Sequence, residues 1–257
     1  MTLWELYDDL IEGIPKEIIV EDIAVGQHNI LVRSSVGSGI GFVYSEDGRP
    51  PEFVKSFKGK SLYEIAGCIK SWNITESGIG LAAINSYYNS VKVSKENNIK
   101  LNENNFIEDR TNDPFISYQN MIRGKKVAVI GHFHYLEQLF APVCDLSIIE
   151  SEDIYGDYPE TSAPYILPEQ DFVVISCYTL STKTFPWYLE LSKNAYVVLV
   201  GPATPMAPIL FKYGVNDLSG FVIKEHDKVM SIISGNERNS MFYSTGQKVN
   251  LKDSGEI

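Results

Sequence analysis

Gly131, His132 and Phe133 directly follow a short apolar run at residues 127–130, and their types suit a ligand-binding turn. A glycine there permits a tight turn, and a helix beginning after it would direct N-terminal amides at a ligand. The pattern GxGxxG is incomplete, because no second or third glycine follows. The residues therefore predict a ligand-binding turn that lacks the dinucleotide fingerprint.

Glu150 ends a second apolar run, at residues 146–149. It lies about 20 residues after Gly131, which is close to the spacing at which an acidic side chain meets a ribose in nucleotide-binding folds. A carboxylate at the end of a strand is also common on protein surfaces. We therefore take Glu150 as a candidate ligand contact, and the alternative that it is a surface carboxylate without a ligand stays open.

Four hydroxyl residues come after the apolar run at residues 172–177, namely Thr179, Ser181, Thr182 and Thr184. Hydroxyls and helix amides converge on anionic or oxygen-rich ligands in many phosphate sites. Thr184, with a proline two residues later, also fits the N-cap of a following helix. Capping needs only one hydroxyl, so ligand binding and capping both stay open.

Gly201, Pro202 and Thr204 belong to a loop that follows the apolar run at residues 197–200. Prolines on both sides of its small residues restrict the path of the loop. Thr204 reads as a helix cap, but Pro208 would remove a hydrogen bond from that helix and indicates a later start. One interpretation is a rigid loop that faces the ligand. The other is a loop whose prolines only interrupt regular secondary structure and have no role in binding.

His132 and Cys177 end neighbouring candidate strands and, with Glu150, could supply nitrogen, sulfur and oxygen ligands to a metal. The chain contains no HExxH helix and no CxxC pair, so no complete metal site is defined. A thiolate at Cys177 paired with His132 is an alternative, although buried cysteine usually acts as a small hydrophobe. Catalytic residues and the cofactor stay unknown, with a metal ion or a metal chelate as the candidate.

The second half of the chain alternates apolar runs with helical segments. Runs rich in Val and Ile, without polar alternation, are typical of strands covered on both faces. Their alternation with helices predicts a mostly parallel, Rossmann-like α/β sheet, in which ligands bind beyond the carboxyl ends of the strands. The predicted strands lie at residues 127–130, 146–149, 172–176, 197–200 and 221–223, and residues 251–257 are predicted to be a frayed tail.

The first half predicts a smaller α+β unit. Thr2 and Glu5 form a capping box for a first helix, while Ser61 and Thr75 open two later helices. Between the first helix and these two later helices, glycine-containing turns separate three strands of an antiparallel meander, at residues 16–24, 29–34 and 40–44. A polar, Asn-rich connection at 95–113 then predicts two domains, residues 1–100 and 101–257.

Composition limits the classes of partner. The formal charge of −11, from 22 basic and 33 acidic side chains, disfavours a nucleic acid, since phosphate binding needs a basic stripe. No stretch approaches the roughly 18 apolar residues of a membrane helix, and the first residues do not resemble a signal peptide. Three widely spaced cysteines predict no disulfide framework. We expect a cytoplasmic protein with a small-molecule ligand and no nucleic-acid or membrane partner, and a homo-oligomer stays open.

Several segments together resemble the family described as putative heavy-metal chelation. The similarity is carried by VAVIGHF at 127–133, the hydroxyl segment at 179–184, LVGPATPM at 199–206 and GVNDLSGFVI at 214–223, with GLAAINSYYN at 80–89 in the first half. The resemblance implies an enolase-N-terminal-like domain before the Rossmann-like domain. It also implies a site between the two that includes the part of the first domain bearing Asn85.

Three functions remain open from the sequence. The leading hypothesis is binding or processing of a small polar ligand, such as a metal chelate, in a cleft between the two domains. The alternative is an enzyme that uses a nucleotide or S-adenosylmethionine-type cofactor at the strand ends, and the third is an interaction protein with a vestigial site. Whether the protein catalyses a reaction stays uncertain.

Overall fold

The protein was analysed as a computed structural model that describes residues 3–44, 48–52, 56–102, 113–133, 135–152, 154–235 and 239–254. In these ranges it is an α/β protein with a mostly parallel sheet and a separate small antiparallel sheet, as the sequence predicts. No helix among the described residues has the length and apolar character needed to cross a membrane.

The first unit contains the three-stranded antiparallel meander. Its strands pair in the order β1-β2-β3, with Ala24 opposite Leu31 and Leu31 opposite Ile40. The strands and helices of this unit are α1 (Glu5–Glu12), β1 (Val20–Val25), β2 (Asn29–Ser34), β3 (Ser38–Phe42), α2 (Leu62–Ala66), α3 (Ile74–Tyr88) and α4 (Val91–Glu96), and a 3₁₀ helix spans Gly67–Lys70.

The second unit contains the parallel sheet. Its strands are β4 (Lys126–Ile130), β5 (Asp145–Glu150), β6 (Tyr158–Pro159), β7 (Phe172–Ser176), β8 (Tyr196–Val200), β9 (Asp217–Ile223) and β10 (Gly246–Lys252). Its helices are α5 (Pro114–Ser117), α6 (Leu136–Phe140), α7 (Ala163–Ile166), α8 (Tyr178–Thr182), α9 (Phe185–Leu191) and α10 (His226–Ser234), with 3₁₀ helices at Glu160–Ser162, Leu167–Glu169, Pro208–Tyr213 and Asn239–Thr245.

The strand order of the large sheet creates a topological switch point. In the described part of the chain its seven strands run β10-β9-β8-β7-β4-β5-β6, and only β10 is antiparallel to its neighbour. The chain therefore builds outward from β4 through β5 and β6, and then returns to build the other side from β7. Ligands of open α/β sheets bind outside the carboxyl ends at such a point, here between β4 and β7.

Several sequence expectations differ from the structure at element ends. The helix expected from Thr75 begins at Ile74 and is capped by the Asn73 side chain, while the Ser61 hydroxyl donates to the carbonyl of Lys16 instead of capping α2. Thr2 lies outside the described residues. The expected frayed tail is wrong for Leu251 and Lys252, which pair within β10, and the start of a helix at Pro208 agrees with the 3₁₀ helix there.

Helix α3 packs its backbone directly against strand β3 and is almost entirely buried. The contact depends on glycine on both sides: a Cβ on Gly78 would lie 2.2 Å from the carbonyl oxygen of Phe42, and one on Gly41 would lie 2.1 Å from the carbonyl oxygen of Gly78. Neither carbonyl can move without disrupting the strand or helix to which it belongs. The two backbones therefore approach more closely than any larger residue permits.

The same helix also joins the two units through side-chain amides. Asn85 Nδ2 donates to the carbonyl oxygens of Ile40 and Ala203, each at 2.8 Å, and so links β3 to the loop after β8. Asn89 donates to the carbonyls of Thr204 and Phe221 in the second unit. These bonds lie in one buried hydrophobic cluster that contains residues from both units, so the packing is continuous across the predicted boundary between residues 100 and 101.

Asp217 is a fully buried carboxylate at the start of β9. It accepts a hydrogen bond from the Tyr118 hydroxyl, and Lys252 Nζ lies 3.7 Å from Oδ2. Burial raises the pKa of Asp217 to about 6, and the contacts with Tyr118 and Lys252 only partly oppose this rise. The folded protein therefore favours the protonated form of this side chain over a range in which free aspartate is ionised.

We expect Gly78→Ala to lower the free energy of unfolding by about 3 kcal/mol, because the new methyl group meets a backbone carbonyl that cannot yield. Urea denaturation measures the change. Gly67→Ala is the matched control, because a Cβ there meets no atom within 4 Å and the backbone φ is −57°. Equal stability of the two variants would contradict the close packing of α3 on β3.

We expect Asp217→Asn to stabilise the protein near neutral pH. The folded pKa lies above the unfolded value, so the contribution that favours folding is complete below about pH 4 and is lost as the pH rises through 6. Asparagine cannot ionise, so the substitution should raise the free energy of unfolding at pH 7.5 by about 3 kcal/mol and leave it nearly unchanged at pH 4. Urea melts from pH 4 to 8 test this, with the exposed Asp145→Asn as control.

Candidate functional site

A cavity of about 720 Å³ lies at the switch point of the large sheet. Its floor is formed by residues at the carboxyl ends of β4 and β7, including Gly131 and Ser176, and one wall is formed by Asn29 and Phe42 of the first unit. Its volume falls within the range of small-molecule sites. The candidate residues that the structure brings together on its lining are Gly131, His132, Phe133, Glu150, Cys177, Thr179, Thr182, Thr184, Gly201 and Pro202.

The turn after β4 depends on Gly131. Its φ is +103°, which disfavours other residues, and a Cβ would lie 3.1 Å from Cβ of Ser176 on the neighbouring strand. The expected helix does not begin at this turn: α6 starts at Leu136 and is five residues long. The expectation of an amide-rich helix terminus directly behind Gly131 is therefore wrong. In the turn itself, the backbone N–H of Gly131 donates to the carbonyl of Ile149 and that of His132 donates to Glu150.

His132 is held in place by a buried carboxylate that the sequence analysis did not identify. Its Nδ1 lies 2.8 Å from Oδ2 of Asp157, whose side chain is 3% exposed, while the imidazole is 17% exposed. A carboxylate accepts hydrogen bonds, so Nδ1 carries a proton in this contact. The same arrangement orients histidines that bind metals.

Glu150 bonds to the turn after β4 instead of extending toward a ribose. Its Oε2 accepts a hydrogen bond of 2.7 Å from the backbone N–H of His132. In a dinucleotide-binding fold, the amides at this strand end face the pyrophosphate. The spacing from Gly131 to Glu150 thus corresponds to a contact within the protein.

The segment from Thr179 to Thr184 is mostly the short helix α8, where a loop was expected. Thr179 donates its hydroxyl to the carbonyl of Ser176, and the hydroxyls of Thr182 and Thr184 lie 2.9 Å apart. Thr184 occupies the N-cap position of α9, but its side chain does not bond to the first amides of that helix. Ser181 is fully buried and does not line the cavity.

The loop after β8 places Gly201 against Cys177. The φ of Gly201 is +129°, and a Cβ there would lie 2.4 Å from the thiol sulfur. Burial raises the pKa of Cys177 to about 12, so the thiol stays neutral near pH 7 and does not fit a thiolate nucleophile. Thr204 and Asn85 are fully buried behind the loop and do not line the cavity, since their backbone and amide groups hold the two units together.

The lining also contains residues that the sequence analysis missed. Tyr178 stacks near Tyr44 with ring centroids 4.3 Å apart, and the Tyr188 hydroxyl donates to Oε1 of Glu160 at 2.7 Å. Phe242 and Tyr243 complete the aromatic part of the lining from the far end of the chain. They are distant from Gly131 in sequence, so no local spacing rule could have found them.

The charge of the cavity is negative. Glu150, Glu152 and Glu160 line it, and none of the described lining residues is lysine or arginine. Carboxylates and aromatic rings together favour a ligand with positive charge, whereas a phosphate-bearing ligand would be repelled.

Comparisons with known proteins agree over nearly the whole chain. Two family models described as putative heavy-metal chelation match it, DUF364 over residues 113–252 and DUF4213 over residues 7–88. A crystal structure of a protein of unknown function from the DUF364 family of Desulfitobacterium hafniense superposes with a TM-score of 0.89 at 43% identity, covering 98% of this chain and 99% of that one.

Two more distant matches extend the comparison. A DUF364-family protein of unknown function from Pyrococcus horikoshii has a TM-score of 0.74 at 21% identity, over 98% of this chain and 100% of the other, and so supports the fold alone. An uncharacterized protein of Methanocaldococcus jannaschii is 26% identical over 210 residues, which are 75% of this chain and 72% of that protein.

We expect Cys177 to resist thiol reagents in the folded protein at pH 8, because its thiol is buried and its pKa is raised. Labelling with iodoacetamide, followed by peptide mass spectrometry, should modify Cys177 at least 100-fold more slowly than in urea-unfolded protein, an order of magnitude that follows from the loss of thiolate. Rapid labelling of Cys177 in the native state would contradict this expectation and support a reactive thiolate at Cys177.

Proposed function

Because the chain belongs to the DUF364 family, described as putative heavy-metal chelation, we propose that its cavity binds a small, positively charged metal chelate. The observation that carries the proposal is the lining itself, where carboxylates and aromatic rings surround an imidazole oriented by Asp157. The proposal concerns binding, and it assigns no reaction.

The described residues do not fit a bare metal ion. They contain no group of three or more His, Cys, Asp or Glu side chains arranged to hold one, and a complete protein site needs three or four ligands. A metal that enters this cavity is therefore best understood as cargo that arrives with its own chelator.

His132 is the side chain suited to contact the metal of such a complex. The hydrogen bond to Asp157 orients the imidazole through Nδ1, so Nε2 is the nitrogen through which a neutral imidazole would bind the metal. The imidazole would add one ligand at a coordination position of the metal that the chelator leaves open. The chelator's flat organic part would then lie among the aromatic rings of Tyr178, Tyr188 and Phe242.

Binding of a nucleotide or an S-adenosylmethionine-type cofactor receives no support. A nucleotide would bring phosphate groups, but the backbone N–H of His132 already bonds to Glu150 and the described lining contains no lysine or arginine. For S-adenosylmethionine, which carries no phosphate, the family models give no support. The GxGxxG pattern is absent as well.

We test the proposal with the copper(II) complex of terpyridine, a flat dication that leaves coordination positions open. Calorimetry should show one site per chain, and His132→Ala should weaken binding by about 100-fold, because the imidazole ligand is lost. Asp157→Asn should weaken it by about 10-fold, because the imidazole loses its orienting carboxylate. The optical spectrum of the copper should shift with wild-type protein and not with His132→Ala.

His28→Ala is the matched control, since it removes an exposed imidazole outside the lining and should leave binding unchanged. Metal-free terpyridine and copper salt without chelator separate the ring contribution from the metal contribution. Equal affinity of wild type and His132→Ala would refute the metal contact, and stabilisation of the wild type by ATP or NAD would refute the assigned ligand charge.

A further inference from the structure

Four donors converge on the carboxylate of Glu150. Oε2 accepts from the backbone N–H of His132 at 2.7 Å, and Oε1 accepts from the backbone N–H and hydroxyl of Ser151 at 2.6 and 2.9 Å. The backbone N–H of Glu152 lies 3.4 Å from the same oxygen. The carboxylate is thus surrounded in the way that a bound anion would be.

The position of this cluster is one where related folds bind phosphate. It lies beyond the carboxyl ends of the adjacent parallel strands β4 and β5, beside the switch point of the sheet. Convergent backbone N–H groups form anion-binding concavities without any basic side chain. Here the anion is supplied by the last residue of β5, whose side chain bonds across to the turn after β4.

We propose that Glu150 is a built-in anion that fills a latent anion site and thereby determines the charge selectivity of the cavity. With the carboxylate present, the backbone donors are engaged and a second negative charge would be repelled. The cavity then accepts cationic ligands and rejects phosphates and carboxylates. The inference rests on the proposed function only for the sign of the ligand's charge, since the anion site is defined by the contacts of Glu150 alone.

Glu152 provides a matched comparison within the same cavity. It carries the same charge and also lines the cavity, but its exposed side chain accepts none of the hydrogen bonds described for Glu150. Replacing either residue with alanine removes one negative charge. Only replacement of Glu150 leaves backbone donors without their acceptor, so the two variants separate the effect of charge from the effect of the anion site.

The first test is rescue by acetate, which matches the atoms that Glu150→Ala removes. We expect this variant to melt about 5 °C or more below wild type, because charge-assisted hydrogen bonds are lost. Sodium acetate at several times its Kd should restore about 3 °C relative to sodium chloride of equal ionic strength. Glu152→Ala and wild type should respond equally to the two salts. Equal melting of Glu150→Ala in both salts would overturn the proposal.

The second test measures selectivity directly. Inorganic phosphate should broaden its ³¹P resonance with Glu150→Ala and leave it unchanged with wild type and Glu152→Ala, a gain that loss of stability cannot produce. If Glu150→Ala fails to fold, Glu150→Ser replaces it in the phosphate experiment, because its short neutral side chain leaves the place of the carboxylate open to an anion. Absence of phosphate binding to every folded Glu150 variant would overturn the inference.

Copper–terpyridine binding to the same variants keeps this inference separate from the proposed function. Gain of phosphate binding without any chelate binding to wild type would support the latent anion site and refute the metal-chelate proposal. Chelate binding to wild type, with no gain of phosphate binding in the Glu150 variants, would support the metal-chelate proposal and refute the latent anion site.

Discussion

The close contact between α3 and β3 is the constraint on which the rest of the structure depends. Gly41 and Gly78 remove the side chains that would hold the two backbones apart, and the helix consequently sits deep enough to reach the second unit. Its amide side chains then bond to the loop after β8, which bears Gly201 and Pro202 of the cavity. A buried amide bonded to carbonyls on both sides is expensive to displace, so the two units hold the walls of the cavity in a defined relation.

Within that frame, electrostatics distinguishes this cavity from a dinucleotide site built on a similar sheet. The turn after β4 retains its glycine, but a carboxylate from β5 accepts a hydrogen bond from the backbone N–H of His132. A second carboxylate, Asp157, orients the imidazole of His132. Both interactions direct negative charge toward the place where a phosphate would otherwise bind. The backbone frame resembles that of a dinucleotide site, but the charge beside it is negative, and this difference is the basis of the proposed preference for a cationic ligand.

Sequence patterns anticipated the strands that are apolar along their whole length and left out those that are not. The runs ending at Ile130 and Val200 were identified because both faces of these strands are covered, and the run ending at Ile149 because its last residues are apolar and buried. Strand β10 was missed, because its sequence GQKVNLK is polar on an edge strand that needs only one buried face. Asp157 was missed for a related reason: it lies in a loop, and a loop residue carries no periodic signal that points to its partner.

The sequence by itself determined the α/β class, the switch from an antiparallel to a parallel unit, and the strand ends where Gly131, Glu150 and Gly201 lie, because these follow from hydrophobic periodicity and turn chemistry. Only the tertiary structure decided what those residues face. It buried Asn85, Ser181 and Thr204 behind the lining, paired His132 with Asp157, and turned Glu150 toward a neighbouring amide. The physical reason is that a side chain's partner is set by the packing of distant elements, and in this protein α3 between the two sheets sets that packing.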